Sequence, residues 1–583
     1  MIYNAPIKDM LFLLNECIGL EKLTALPGNE EVDADLLEAI LEEAGKFCST
    51  ELLPINQSGD EHGARHENGS VKTPPGFKEA YTQFIENGWT GIDADPQHGG
   101  QGLPKVLQVL IDEMLSATNL SFKLYAELSR GAYHALDNTA SDEIRERYLP
   151  NMVAGIWSGT MCLTEPHCGT DLGLLTTKAI PDSDGSFKVS GSKIFITSGD
   201  HDLTENILHL VIARIDGAPA GTRGISLFLV PKYLVNDDGS LGERNAVTTA
   251  SIEHKMGIRA SATCALNFEN ATGYLIGEEN RGLAAMFKMM NMERMTVGMQ
   301  GLGFSEIAYQ NALAYALDRR QSTAPAPRPD NNKAADPIVF QPEIKRQLLT
   351  MRAQIEGARA LAVYAALHAD IMEKSEDDAI AADAGNTVAL LTPVIKSFFS
   401  DLGMSCTLSA QQVFGGHGYI REHGMEQLVR DCRITPIYEG TNEIQALDLV
   451  SRKLTGGTGE FADRFLADWM AFAEEHGDTD AAAAMQRLIE ATAWIRDRHA
   501  ANDAAVRGAA TQYLRLFALT IIGCMWTQAV VAIQGKSGRF YDAKRKVARF
   551  YAQQLLPETA SLLQTITGGE GALSEFEVSD FGD

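Results

Sequence analysis

Positive charge is what this 583-residue chain has least of: 50 Lys and Arg stand against 77 Asp and Glu, a formal net charge of −27. That balance argues against nucleic acid, or an anionic membrane, as the main partner, because either would call for a basic face. Cysteine is also sparse. The eight cysteines, at 17, 48, 162, 168, 264, 406, 432 and 524, form no Cys-x-x-Cys pair and no Cys/His cluster at metal-ligand spacing. No metal site is expected, and the cysteines read as reduced, mostly buried thiols of a cytoplasmic protein. The opening Met1-Ile2-Tyr3-Asn4-Ala5-Pro6 lacks a basic patch followed by an apolar run, so export is not expected. The most apolar run, Leu516–Ile533, is interrupted by Thr520, Thr527 and Gln528, and is expected to be a buried bundle helix rather than a membrane span.

The common cofactor and nucleophile signatures are missing as well. There is no Gly-x-Gly-x-x-Gly after a strand, and Gly535-Lys536-Ser537 lacks the upstream glycine of a phosphate loop. No Gly-x-Ser-x-Gly elbow and no His-Glu-x-x-His occur. Internal repeats and sustained heptads are absent too.

What is present is a change of texture, from α to β and back to α. Residues 8–88 carry apolar positions at three- and four-residue spacing, as in Ala34–Ala44, and the spacing returns in Val106–Leu115 and Glu127–Leu136. The first 155 residues therefore read as all-α. From about Trp157 to Phe268, short β-branched runs separated by turn residues predict a sandwich or open barrel. Helical spacing resumes over Gly282–Leu317, Glu343–Lys374 and Val388–Phe414, with a Pro/Ala/Asp/Asn-rich excursion at Ser322–Phe340. Beyond Gly456-Gly457-Thr458-Gly459, four more helices are expected, over Phe461–Glu475, Ala481–His499, Ala504–Ile533 and Tyr541–Gln553. Lys544-Arg545-Lys546 reads as the solvated face of one of these helices. The expected fold class is multidomain α+β: an N-terminal helical domain (1–156), a β domain (157–272), a helical bundle carrying a catalytic loop (273–455), and an extra C-terminal helical domain (456–583).

Three stretches offer chemistry. In Ile437-Tyr438-Glu439-Gly440-Thr441-Asn442-Glu443, a carboxylate directly precedes a glycine. Glycine lets a ligand approach the backbone closely, and an apolar cleft can tune a glutamate for proton abstraction; read alone, Glu439 is a surface residue at a turn. Thr164-Glu165-Pro166-His167-Cys168-Gly169-Thr170-Asp171 gathers hydroxyls and exposed amides, and read alone is a strand-to-turn connection. In Lys193-Ile194-Phe195-Ile196-Thr197-Ser198-Gly199, strand alternation puts Phe195 and Thr197 on one face, where a ring and a hydroxyl could meet a flat cofactor.

In this order and layout, these stretches resemble the acyl-CoA dehydrogenase family. The resemblance runs from about Glu79 to Leu454 and includes Pro96–Leu103, Met256–Ser261 and Gln412–Tyr419; the extra C-terminal bundle and the Tyr3-Asn4-Ala5-Pro6 opening look like the family's longer bacterial branch. The resemblance implies FAD as cofactor, an acyl-CoA substrate and α,β-dehydrogenation to the trans-2-enoyl-CoA, with Glu439 taking the α-proton and the β-hydrogen leaving as hydride to flavin N5. It implies flavin contacts at Met161, Leu163, Thr164, Phe195 and Thr197, with Arg319, Gln412, Gly416, Thr441 and Glu443 toward the rest of FAD. Substrate contacts are implied at Thr170, Arg294, Tyr438 and Gly440. Some members carry the base at the position of Glu293, which makes Glu293 the alternative base. A cofactor bound across two chains implies a homodimer or larger, and electron-transferring flavoprotein is the implied acceptor. The branch implies 3-methylmercaptopropionyl-CoA, or short to medium straight chains, as substrate. An oxygen-using oxidase and a non-catalytic acyl-CoA-binding scaffold of the same fold stay open as alternatives. So does flavin chemistry on a substrate that is not a thioester.

Four departures from the family pattern stand out. Phe195 replaces a usual tryptophan, Ser198 replaces an asparagine, the Phe-Gly expected after Arg319 is missing, and Gln341-Pro342 stands in place of His-Gln.

Overall fold

The computed structural model describes residues 1–569, 571, 573 and 575–582. The chain forms two compact units. One comprises Phe47–Leu103 and Thr118–Glu293; the other comprises Met1–Lys46, Pro104–Ala117 and the chain from Arg294 onward.

In the first unit, Trp157–Ile276 builds a seven-stranded sheet. Strand Thr263–Ile276 pairs with Phe187–Thr197, which pairs with Lys178–Pro181, and that with Asn206–Ile215. Ile225–Pro231 then pairs with both Asn206–Ile215 and Thr263–Ile276, so these five strands close on themselves as a barrel. Trp157–Cys162 and Val247–Ile252 pair on at its borders. Every residue of Ile225–Pro231 is buried, as expected of a strand covered on both faces. The helical part of this unit packs on a cluster of rings, Phe77, Tyr81, Phe84 and Phe122, with Phe84 and Phe122 edge-to-face at 5.7 Å. The helix Lys105–Thr139 is interrupted at Asn119 (φ −160°, ψ 84°). Asn119 caps the restart itself, accepting from the Phe122 amide at 3.0 Å while donating to the Leu52 carbonyl at 3.2 Å.

Three long helices, Gly282–Asp318, Pro342–Lys374 and Asp378–Phe414, follow the barrel, and the latter two form the framework of the second unit. Gly301 allows the first of these to press on the backbone at Phe399, where an added Cβ would collide with a carbonyl. The Ser322–Phe340 excursion is ordered around buried Asp336, which accepts from the Ala324 amide at 2.8 Å and from Arg328 Nε at 2.9 Å. Among the described residues, the C-terminal helices include Gly459–Glu475, Thr479–His499, Asp503–Ala532 and Arg539–Gln554, and also Glu558–Gly568, which the spacing does not announce. Asp503–Ala532 is apolar and long enough to cross a membrane, yet 78% of its most apolar window is buried within the structure, as a bundle helix requires.

Two expectations need correction. The N-terminal region is not purely helical: Arg65–Glu67 and Ser70–Lys72 form a hairpin. And Lys544 is no solvated residue. It is buried, pairing with Asp9 and, at 2.8 Å, with Glu356. Beside it, Arg359 is enclosed by Glu113, Glu306 and Asp9, with Nη2 donating at 2.6 Å to both Glu113 and Glu306. This cluster ties together the first helical turn, the Lys105–Thr139 helix, two of the long helices and the C-terminal bundle.

Candidate active site

Glu439 lies in the loop that joins the Met425–Cys432 and Asn442–Asp448 helices. The backbone is left-handed at Glu439 (φ 58°) and again at Gly440 (φ 85°). A left-handed conformation at a residue with a Cβ costs roughly 1–3 kcal/mol and persists only where neighbours impose it. Here they do. Gln445 Nε2 donates to the Glu439 carbonyl at 3.1 Å and to that of Gly440 at 3.3 Å, and Arg294 Nε donates to the Glu439 carbonyl at 3.4 Å. The Asn442 amide closes the loop on the Pro436 carbonyl at 3.1 Å. Tyr438 donates its hydroxyl to buried Gln300. The result is a half-buried carboxylate on a rigid, strained turn, which is the disposition a positioned base requires.

Behind the loop stands Asn442, buried and fully occupied. Its Oδ1 accepts from Lys396 Nζ at 2.8 Å, and its Nδ2 donates to Asp401 Oδ1 at 2.8 Å and to Ser400 Oγ at 3.0 Å. Lys396 itself is completely buried. A cavity of about 300 Å³ adjoins Asn442 and Asp401, and Arg515 of the Asp503–Ala532 helix lines its far side. Sequence reading passed over Lys396, Asn442 and Gln445. The visible signal was a single cation within the otherwise uncharged run Val394-Ile395-Lys396-Ser397-Phe398-Phe399.

In the barrel unit, the Thr164 stretch and the Phe195 strand lie together. The Ile194 amide donates to the Thr164 carbonyl at 2.9 Å. Lys193 Nζ donates to the Leu163 carbonyl and to Glu165 Oε1, both at 2.9 Å. Glu165 also accepts from the amides and hydroxyls of Thr176 and Thr177, at 2.6 to 3.1 Å. Burial works to raise the Glu165 carboxyl, but the Lys193 ammonium and the threonine donors override it and hold the group down at about 2.

Simple alternation would have put Lys193, Phe195 and Thr197 on one face. Instead a bulge intervenes, since Cys264 faces Ile196 while Leu266 faces Lys193, and Phe195 takes φ 59°. Lys193 is thereby turned inward and Phe195 outward, with 59% of the residue exposed. An open ring flanked by the half-exposed hydroxyls of Thr164 and Thr197 suits a flat aromatic group with polar edges, and so fits a flavin.

The remaining predicted positions fall into the same two groups. Met161 is half-buried, Leu163 is buried beneath the Thr164 turn, and Thr170 is exposed. In the second unit, Arg319, Gln412, Gly416 and Glu443 are exposed and Thr441 is half-buried. Arg319 and the Gln412–Gly416 segment are linked by Tyr315, which stacks on Phe414 at 4.1 Å and hydrogen-bonds His417 at 2.7 Å. Arg294 is buried near Glu439 and Asp448, burial drawing its guanidinium below the ordinary value. Glu293 is 2% exposed and lies against Gly131, where an added methyl would strike its carboxylate. Among the described residues, no group of three or more His, Cys, Asp or Glu is arranged to hold a metal ion.

Family models match nearly the whole chain: acyl-CoA dehydrogenase N-terminal domain over residues 35–156, middle domain over 160–271, C-terminal domain over 280–454, and the acetyl-CoA dehydrogenase C-terminal-like model over 464–577. The 3-methylmercaptopropionyl-CoA dehydrogenase of Ruegeria pomeroyi is 41% identical over 97% of this chain and 98% of its own. The chain belongs to the acyl-CoA dehydrogenase family. A butyryl-CoA dehydrogenase of Syntrophomonas wolfei is 34% identical over 97% of each chain. In fold, the Bacillus anthracis acyl-CoA dehydrogenase complexed with FAD aligns with a TM-score of 0.75 at 21% identity, covering 97% of this chain and 92% of that one. The protein is thus an oxidoreductase of a family that uses FAD.

Proposed function

We propose that this acyl-CoA dehydrogenase converts a saturated acyl-CoA to the trans-2-enoyl-CoA with Glu439 as the base, and that its substrate is 3-methylmercaptopropionyl-CoA or a short to medium straight-chain acyl-CoA. The observation that carries the mechanism is the left-handed turn at Glu439, held through its carbonyl by Arg294 and Gln445. The substrate reading draws on the 41% identity to the Ruegeria pomeroyi enzyme, and the butyryl-CoA dehydrogenase similarity supports the straight-chain range.

FAD, when bound, supplies the acceptor for the β-hydrogen and its two electrons. The residues do the positioning. Phe195, Met161 and Leu163 offer an apolar seat, with Thr164 and Thr197 as polar edges; Arg319, Gln412, Gly416, Thr441 and Glu443 serve the remainder of the cofactor. The Glu439 carboxylate takes the α-proton, while the Glu439 amide donates to the thioester oxygen as enolate character grows. Loss of one such oxyanion donor costs about 10²–10³ in rate in other enzymes. Thr170, Arg294, Tyr438 and Gly440 orient the thioester. Glu293, buried against Gly131, serves as a wall residue.

The chain divides in this reading at 156, 272 and 455, works in the cytoplasm as a homodimer or larger, and passes electrons to an electron-transferring flavoprotein. Exposure of Tyr419 (82%) beside Gln412 and Gly416 supports a second copy covering that face.

The test is an anaerobic spectral titration of the flavin-loaded protein with a panel of saturated acyl-CoAs that includes the methylmercapto compound. Flavin bleaching by a thioester is the expected result, and the fastest chain ranks the substrates. Glu439→Gln is expected to abolish bleaching and Glu293→Gln to leave most of it; the reverse pattern assigns the base to Glu293. Peroxide release in air, without need of a protein acceptor, would favour an oxidase.

A further inference from the structure

A buried ammonium is costly unless something nearby carries opposite charge. Lys396 is fully buried, and its nitrogen donates at 2.8 Å to a neutral group, the amide oxygen of Asn442. Four charged groups face it. They are Glu439 on the loop, Asp401 on the same helix, Arg294 of the Gly282–Asp318 helix and Glu443 of the Asn442–Asp448 helix. Arg515, from the C-terminal bundle, balances Asp401 from the far side. Glu439 in turn faces Arg294, which also feels Asp448 and Arg452. The buried cation is thus bonded, through Asn442, to the end of the very loop that carries Glu439, the carboxylate read above as the base.

We propose that Lys396 is a positioning residue for the reaction: anchored behind the loop on Asn442, its charge keeps the Glu439 carboxylate ionised when substrate closes the cleft and removes water. This rests on the reading of Glu439 as base. Without such a charge, burial beneath an acyl thioester would push a glutamate toward its neutral form, which cannot take the α-proton. Burial draws the Lys396 ammonium down to about 8, so it is charged throughout the neutral and acidic range in which Glu439 needs support. The linkage also gives the extra C-terminal helices a hand in the active site, through Arg515, Asp401 and Asn442.

The experiment compares kcat/KM against pH for the flavin-loaded wild type, Lys396→Met, Lys396→Gln and Lys396→Arg, with flavin content and melting temperature measured on each. Expected is an upward move of the acidic limb by about one pH unit in the neutral variants, a tenfold loss below the limb, with the high-pH plateau kept within about threefold and the limb restored by arginine. A limb that stays in place, whatever the loss of plateau rate or stability, overturns the proposal. So does a failure of both neutral variants to fold while arginine folds, since the charge would then serve the fold. Glu439→Gln, run alongside, separates the two readings: turnover in that variant sinks the assignment of the base, whereas an inactive Glu439→Gln with an unmoved limb in Lys396→Met sinks only the role given to Lys396.

Discussion

Lys193 and Glu165 form a sealed ion pair at 2.9 Å, with side chains 0% and 1% exposed, at the crossing of the two stretches that would hold the flavin ring. Removing one member of such a pair leaves an uncompensated buried charge, at a typical cost of about 3–5 kcal/mol. Lys193→Met is therefore expected to lower the urea midpoint of the barrel and to shed flavin, although Lys193 itself faces away from the cofactor seat. Unaltered stability would mean that the threonine donors suffice. Because the Glu165 carboxyl is depressed from 4.5 to about 2, its contribution is complete above pH 4.5 and is lost as pH falls toward 2. That amounts to about 3 kcal/mol, to be read as the difference between wild type and Glu165→Gln over that interval.

Arg359→Met should be among the most damaging changes far from the chemistry. It strips the guanidinium from Asp9, Glu113 and Glu306 at once, for a loss of at least about 3–5 kcal/mol. Lysine should not rescue it, since one ammonium cannot replace a fork serving three acids. The deficit should shrink as pH falls toward 5, because burial already pushes the Glu113 carboxyl up and, without the guanidinium, it can take a proton; equal destabilisation at pH 5 and 8 would contradict this account.

Phe195→Ala tests the seat itself. The ring is largely open to solvent in the protein alone, so the melting temperature of the flavin-free form should hold steady. Flavin affinity should fall about tenfold, in line with the roughly 0.5–1.5 kcal/mol of an aromatic stack, and tryptophan should keep it. Fluorescence of released flavin measures the change, and equal affinity in the alanine variant would remove Phe195 from the seat.

Much of this was legible in the chain. Helical spacing marked every long helix, and the short β-branched runs marked the barrel, because periodicity records which face is buried. The motif stretches also gave the position of Glu439. What escaped notice were the long-range partners. Lys544 sits in a basic run on an amphipathic helix and looks solvated, since nothing local reveals that Asp9 and Glu356 wait for it. Lys193 escaped because its partner Glu165 lies 28 residues away and a bulge, which no local pattern announces, turns it inward, and the helix Glu558–Gly568 because its apolar spacing is brief.

The thiols give an inexpensive check of the fold. All eight are free, seven are buried, and only Cys17 is partly accessible. Burial pushes the Cys17 thiol up to about 12, so even it should react slowly at pH 8. Ellman's reagent should find at most one slow thiol in the native protein and eight in guanidinium; two or more rapid ones would show a core looser than described.

Asp9 and Lys544 meet across 535 residues of chain. At ordinary translation speeds of about 5–20 residues per second, the acid leaves the ribosome roughly 30–100 s before its partner has been made. The barrel unit, whose segments end at Glu293, can be complete long before then. The unit that carries Glu439 cannot, because its central ion cluster draws on both the first turn and one of the last helices. A chain without its last helices leaves Asp9 and Glu356 short of the Lys544 ammonium, and one without its first turn leaves Lys544 and Arg359 short of the Asp9 carboxylate, so either loss opens the same cluster with opposite imbalance of charge.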